Sequence, residues 1–96
     1  MDMFIFARFH AREGREAALA AALRDEVHAS RRERGCLSHH AFRSTREPRL
    51  FFIHSHWVDE AAFEAHAELP HTKTFVKRVE PLIDHPLDVV RARPLD

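Results

Sequence analysis

The residues best suited to chemistry lie in a predicted helix over residues 59–69. Phe63, His66 and Leu69 are spaced so that they share one face of this helix, and the rest of that face is apolar. A histidine titrates near neutral pH and can act as a general base, and on an apolar face it would do so where water is scarce. The pattern therefore predicts a pocket with His66 on its wall. The alternative is a core histidine whose ring is satisfied by a backbone carbonyl.

Two neighbours of this helix are candidates for the same site. His71 follows Pro70, so it could take part in proton transfer or could instead cap the next helix. Trp57 ends the strand that precedes the helix, and it could form a pocket wall or belong to the core. We expect both side chains to lie close to His66.

Four further histidines form a second cluster on a predicted hairpin. His54 and His56 lie two residues apart in a strand and therefore share a face. Two histidines placed in this way can bind the same metal ion, and His39 or His40 could add a third ligand. The sequence contains no H-E-x-x-H motif, and no cysteine lies near this pair. Packing at an interface is the expected role of this cluster, and no metal site is predicted.

Composition restricts the class of protein. Residues 1–96 are predicted to form a single domain, and the formal charge of zero predicts neither a nucleic-acid-binding surface nor a basic membrane-binding helix. No apolar run is long enough to span a membrane, and Asp2 stands where a signal peptide would be basic. The lone Cys36 excludes an internal disulfide. We expect a cytoplasmic protein.

The hydrophobic periodicity predicts seven elements in the order β-α-β-β-α-α-β. They are a strand at 3–10, an amphipathic helix at 15–34, two hairpin strands at 36–44 and 50–57, a helix at 59–69, a second short helix interrupted at Pro81, and a strand at 87–95. Gly35 is predicted to end the first helix in the left-handed conformation. This order predicts an α+β, ferredoxin-like domain with a four-stranded antiparallel sheet.

The predicted sheet has apolar residues on both faces. The first strand places Phe4 and Phe6 on one side and Ile5 and Phe9 on the other. Helices can cover only one side, so the other is expected to meet the sheet of a second copy. The sequence therefore predicts a homodimer.

A series of short motifs runs in order through nearly the whole chain. The most specific is a tryptophan, Trp57, followed by Glu-Ala-His at residues 64–66 and by Pro-His-Thr-Lys-Thr-Phe at residues 70–75. Weaker motifs are Ala-Arg-Glu-Gly at 11–14, Glu-Arg-Gly-Cys at 33–36 and Arg-Glu-Pro at 46–48. Together they resemble the antibiotic biosynthesis monooxygenase family, and within it most resemble the small bacterial quinol monooxygenases.

The resemblance implies a ferredoxin-like fold that pairs as a dimeric α/β barrel, and a cofactor-independent monooxygenase. Such an enzyme oxidises a small electron-rich aromatic, a quinol or phenol, with molecular oxygen. A base removes a phenolic proton and the resulting anion reduces oxygen directly, so neither metal nor flavin is needed. His66 and His71 would be the catalytic residues. The substrate-binding residues would be Phe9, Trp57, Phe63, Phe75 and Ser55, which stands where many members have a glutamate.

Two other functions are alternatives to this one. The first is a small-molecule-binding or stress-response dimer without catalysis, which the same fold and pocket would serve. The second is haem degradation, for which related proteins use a helical histidine as haem ligand and an asparagine on the first strand. Val76 and Ala7 stand near those two positions here, and the sequence has no asparagine. Haem degradation is therefore disfavoured.

Overall fold

The computed structural model describes all residues from Met1 to Asp96 and contains the predicted elements in the predicted order. The strands are β1 (Met3–His10), β2 (Cys36–Arg43), β3 (Leu50–Trp57) and β4 (Asp88–Ala92). The helices are α1 (Glu16–Ser30), α2 (Glu60–Glu68) and α3 (Pro70–Val79), and a short 3₁₀ turn at Glu80–Leu82 follows α3. No helix is both long enough and apolar enough to span a membrane.

The four strands form one antiparallel sheet in the order β2-β3-β1-β4. This order is that of the predicted α+β, ferredoxin-like fold. The sheet of one chain is open, since β2 and β4 each have an unpaired edge. A barrel would therefore require a second chain.

The helices pack on one face of the sheet only. On β1, Ile5, Ala7 and Phe9 point to this face and are buried. Ala7 and Phe9 share a core cluster with Leu19 and Leu23 of α1, whereas Ile5 packs with Trp57. Strand alternation produces this result because successive side chains point to opposite faces. Burying a side chain of the size of Phe9 stabilises the fold by about 1.5–3 kcal/mol. Alternation thus separates the two sets of side chains on β1, and the helices cover the set that includes Phe9.

The opposite face, which we call the open face, carries aromatic and imidazole rings. Phe6 and Phe42 are each about half exposed, at 50% and 52%. His54 and His56 of β3 lie on the same face, where the register pairs His54 with Phe6 and His56 with Phe4. Their rings pack on these phenylalanines, with centroid distances of 4.8 Å for His54 on Phe6 and 4.1 Å for His56 on Phe4.

The end of α1 differs from the prediction. The helix stops at Ser30 and not at Arg34, and the last residues before β2 form turns. Gly35 does not adopt the left-handed conformation, since Gly14 is the only glycine with a positive φ. Gly35 is needed for a different reason: a Cβ at this position would lie 2.4 Å from the Cβ of Ala62. The turn after α1 therefore packs directly against α2.

The boundary between α2 and α3 is built from local signals. The Asp59 carboxylate accepts a hydrogen bond of 2.8 Å from the backbone N–H of Ala62, so Asp59 caps α2 as predicted. Only Leu69 separates the two helices, because Pro70 ends α2 and is also the first residue of α3. Proline favours that position, since its missing N–H would have no partner there.

Candidate active site

A cavity of about 210 Å³ lies between the sheet and helices α2 and α3. Ten of its fifteen lining residues are hydrophobic, so the walls are mainly apolar and suit a flat, apolar ligand. The polar and titratable residues on the wall are Glu26, His39, Ser55, His66 and Thr72.

Five of the seven predicted site residues line this cavity, and two do not. Those on the wall are Phe9, Ser55, Phe63, His66 and Phe75. Trp57 is completely buried behind the wall, where its indole N–H donates a 3.0 Å hydrogen bond to the Ser55 hydroxyl and its ring lies 4.6 Å from that of His66. Trp57 thus holds two wall residues in place and does not itself face the cavity.

His66 is the only buried residue of α2. Its Nδ1 lies 2.6 Å from a carboxylate oxygen of Glu33. A carboxylate can only accept, so Nδ1–H donates to Glu33 and Nε2 is left as the basic nitrogen. Nε2 lies 3.6 Å from Oε2 of Glu26. The ring is therefore held by a carboxylate, and not by the backbone carbonyl that the alternative reading of His66 required.

His71 lies outside the cavity, on the far side of these two glutamates. Its Nδ1 is 2.9 Å from Oε1 of Glu26, and its Nε2 is 2.8 Å from Oε2 of Glu33. Helix α3 has no side-chain cap, so His71 does not act as the helix cap that was its alternative role. Together His66, Glu33, His71 and Glu26 form a closed group, which we call the His–Glu quartet.

The electrostatics of the quartet favour bound protons. Burial raises the pKa of Glu26 above its usual value, although His71 and His66 act in the opposite direction. Burial alone would lower the pKa of His71, but its hydrogen bonds to Glu26 and Glu33 outweigh burial and raise it. The pair Glu26 and His71 therefore keeps a proton to higher pH than either group would alone.

The spacing within the quartet is that of hydrogen bonds. A tetrahedral zinc ion with bonds of about 2.0–2.1 Å to its ligands would hold the ligand atoms roughly 3.3 Å apart. The Glu33 oxygen is 2.6 Å from His66 and 2.8 Å from His71, so the contacts in this structure are hydrogen bonds through which protons can be exchanged. Glu33, His66 and His71 also each offer one ligand atom within 4.8 Å of the others, so small side-chain movements would allow them to share a metal ion.

The four histidines of the hairpin are divided between the two faces of the sheet. His40, His54 and His56 are on the open face, whereas His39 is 3% exposed and forms part of the cavity wall. Burial, and then the nearby His66 and Arg31, lower the pKa of His39 to about 3. Its Nδ1 is buried and has no hydrogen-bond partner in the protein. The four rings therefore do not converge on one site.

Sequence reasoning did not identify Glu26, Glu33 or Thr72 as site residues. Glu26 could have been found, because it lies on the same face of α1 as the apolar residues Leu19 and Leu23 and is 4% exposed. A carboxylate on an apolar stripe usually has a specific partner. Glu33 was part of a quoted motif, but no sequence signal indicated that it would contact His66.

Comparison with known proteins gives a consistent result. The family model described as "Antibiotic biosynthesis monooxygenase" matches residues 3–78. The provisionally named monooxygenase YcnE of Bacillus subtilis (strain 168) is 38% identical over 79 residues, which is 82% of each chain. The structure of Rv0793 from Mycobacterium tuberculosis is 26% identical with a TM-score of 0.94, covering 100% of this chain and 97% of the other. PA3566 from Pseudomonas aeruginosa is 28% identical with a TM-score of 0.91, covering 99% and 95%.

Proposed function

The chain belongs to the antibiotic biosynthesis monooxygenase family, and we propose that it is a cofactor-independent monooxygenase acting on a small quinol or related phenol. The observation that carries the proposal is an apolar cavity with a basic nitrogen of His66 and the carboxyl group of Glu26 on one wall. An electron-rich phenol can pack its ring against the apolar residues of this cavity and transfer its proton to the basic nitrogen of His66. The other substrate is molecular oxygen.

The size of the cavity favours a small aromatic. A cavity of roughly 150 Å³ holds a single benzene ring, and drug-sized ligands occupy roughly 300–1,000 Å³. The cavity here is about 210 Å³, which suits one ring or two fused rings. We therefore favour quinols of this size over three-ring polyketides.

His66 is the proposed base. Glu33 accepts from Nδ1–H at 2.6 Å, which fixes the ring orientation and leaves Nε2 free to accept a phenolic proton. When His66 gains this proton, the carboxylates of Glu33 and Glu26 stabilise the imidazolium. His71 would act through the glutamates, because it touches both of them but does not line the cavity.

This arrangement supports chemistry without a cofactor. In a monooxygenase reaction one oxygen atom enters the product and the other leaves as water. Where no external reductant takes part, the substrate supplies all of the electrons, and removing its phenolic proton makes it a better electron donor. The protein's tasks are then to orient the ring, to accept the proton, and to keep water away from the reactive anion.

A homodimer is part of the proposal. Phe6, Phe42 and Val90 on the open face are each about half exposed, which is a large apolar area for a small monomer. A second copy of the chain offers a sheet of matching shape and the same apolar character, and it would close the two open sheets into one barrel. The free Cys36 is also compatible with the reducing cytoplasm, where we propose that the protein resides.

Oxygen uptake by metal-stripped protein tests the function. We expect uptake with one- and two-ring quinols and little with three-ring anthrones, after subtraction of the rate without protein. His66→Ala should lower turnover roughly 10²- to 10⁴-fold, and the molar mass of the protein particle in light scattering should stay that of the wild type. His85→Ala is the matched control, because His85 is exposed and lies away from the cavity.

Two results would contradict the proposal. Turnover by His66→Ala equal to that of the wild type would remove the proposed base. Binding of quinols without any oxygen uptake would favour the alternative, a small-molecule-binding dimer without catalysis.

A further inference from the structure

His39 has a buried nitrogen that no group of the protein satisfies. The side chain forms part of the cavity wall and is 3% exposed, and its Nδ1 is out of contact with solvent and has no hydrogen-bond partner. Leaving such a group unsatisfied costs roughly 1–3 kcal/mol, and folded proteins contain few of them. An apolar side chain would have filled the same position without this cost.

The neighbouring polar groups make their hydrogen bonds elsewhere, and none is bonded to the His39 ring. The Ser55 hydroxyl, opposite His39 in the sheet, accepts from the Trp57 indole at 3.0 Å. Nδ1 of His66 is engaged by Glu33. The Arg31 guanidinium donates to the backbone carbonyl of His39 and not to its ring. Neither ring nitrogen of His39 is therefore hydrogen-bonded within the protein, and Nε2, which unlike Nδ1 is not enclosed, is the nitrogen that a ligand in the cavity can reach.

We propose that His39 is a specificity-determining residue that hydrogen-bonds the oxygen of an aromatic ligand, the hydroxyl of a quinol and the carbonyl of the quinone formed from it. A neutral imidazole has one N–H and one lone pair, and exchanging tautomer makes Nε2 either an acceptor or a donor. Nε2 can therefore accept from a hydroxyl or donate to a carbonyl. This inference rests on the proposed function, because it names the substrate and product groups of that reaction.

The surroundings of His39 support recognition of a neutral ligand. Burial and the nearby His66 and Arg31 keep the imidazole uncharged at neutral pH. Glu26 lies in the same cavity wall, so a ligand carrying a carboxylate would meet a like charge whenever Glu26 is ionised. The apolar walls accept the ring, and His39 provides the hydrogen bond that distinguishes a hydroxylated ring from a plain hydrocarbon.

The test compares phenol with toluene, which differ by a hydroxyl in place of a methyl group. Binding is measured without oxygen through the fluorescence of Trp57, the single tryptophan, whose ring lies 6.3 Å from that of His39. The test variant is His39→Leu, and the control is His40→Leu, the adjacent histidine on the open face. His39→Gln serves as the conservative variant, because its amide can both donate and accept.

We expect His39→Leu to weaken phenol binding roughly 5- to 100-fold and to change toluene binding less than about 3-fold, because only phenol loses a hydrogen bond. His39→Gln should restore much of the preference, and His40→Leu should behave as the wild type. Equal effects on both ligands, an unchanged phenol affinity, or no phenol binding by the wild type would overturn the inference. If His39→Leu does not fold, His39→Met is compared with His39→Gln on the same criteria.

Failure of this inference can be told apart from failure of the proposed function. Loss of the phenol preference in His39→Leu, together with no oxygen uptake by the wild type, would reject the oxygenase and leave hydroxyl recognition in place. Oxygen uptake by the wild type, together with no effect of His39→Leu on phenol binding, would reject the role of His39 alone.

Discussion

His39 should make the protein sensitive to acid in a way that one substitution removes. In the unfolded chain the pKa of a histidine is near 6.5, whereas burial, followed by the nearby His66 and Arg31, lowers the pKa of His39 in the folded state to about 3. Between these values the unfolded state binds more protons than the folded state. The contribution of His39 to stability is therefore present above pH 6.5 and is lost as pH falls toward 3.

The size of the effect follows from the two pKa values. With 6.5 for the unfolded state and about 3 for the folded state, proton binding to His39 lowers the free energy of unfolding by about 2.5 kcal/mol between pH 7 and pH 4.5. This is a large share of the roughly 5–15 kcal/mol by which most domains are stable. His39→Leu has no titrating group at this position, so its stability should fall by about 2.5 kcal/mol less over the same range.

Urea unfolding at pH 7 and pH 4.5, at a single protein concentration, measures this difference. The other titrating groups contribute to both proteins, so the difference between wild type and His39→Leu isolates His39. His40→Leu is the control, because its ring lies on the open face and is exposed. If the wild type and His39→Leu lose the same stability on acidification, to within about 0.5 kcal/mol, then His39 is not buried as a neutral ring and the argument for its role in the cavity also fails.

Three further predictions follow from the packing and the charges. Gly35→Ala should destabilise the fold by about 1–3 kcal/mol in urea unfolding, because the new Cβ would lie 2.4 Å from that of Ala62, and the added change Ala62→Gly should recover much of the loss. Phe6→Asp should convert a particle of about twice the 11.2 kDa chain mass into monomers in light scattering, and a wild-type monomer would refute the dimer. His71 has a raised pKa, so the stability it adds is present below pH 6.5 and is lost as pH rises through its folded pKa. Thermal unfolding of His71→Gln should lack this alkaline decline, and an equal decline would refute it.

The sequence determined the order of the elements and most of their limits. The bounds of β3 agree with those predicted, because a run of apolar and aromatic residues that favour strands begins directly after a turn. The cap at Asp59 was also predictable, since capping depends on a side chain and an N–H only three residues apart. The buried position of His66 followed from helical spacing alone. These features depend only on residues that are close together in the sequence, and so the sequence alone predicts them.

The first helix shows where local information fails. The Arg-Arg-Glu-Arg sequence at residues 31–34 still favours helix, yet α1 ends at Ser30, and the turn that follows packs so closely on α2 that Gly35 has no space for a Cβ. That ending lets Glu33 reach His66 and His71, which follow it by 33 and 38 residues. The quartet therefore depends on how helices dock, and no single segment encodes it.

The choice between two adjacent histidines was also made by the tertiary structure. His39 and His40 are chemically identical, and the short polar run around them gives no alternation that would assign a face. The pairing of β2 with β3 places His39 opposite Ser55, whose side chain points toward the helices, and so turns the His40 ring to the open face. Trp57 is a second case in which the tertiary structure decided. Its position at the end of β3 predicted a residue of the cavity wall, but its packing against Ser55 and His66 buries it behind that wall. Composition and spacing named the chemical groups, and the register of the strands and the docking of the helices decided which of them meet.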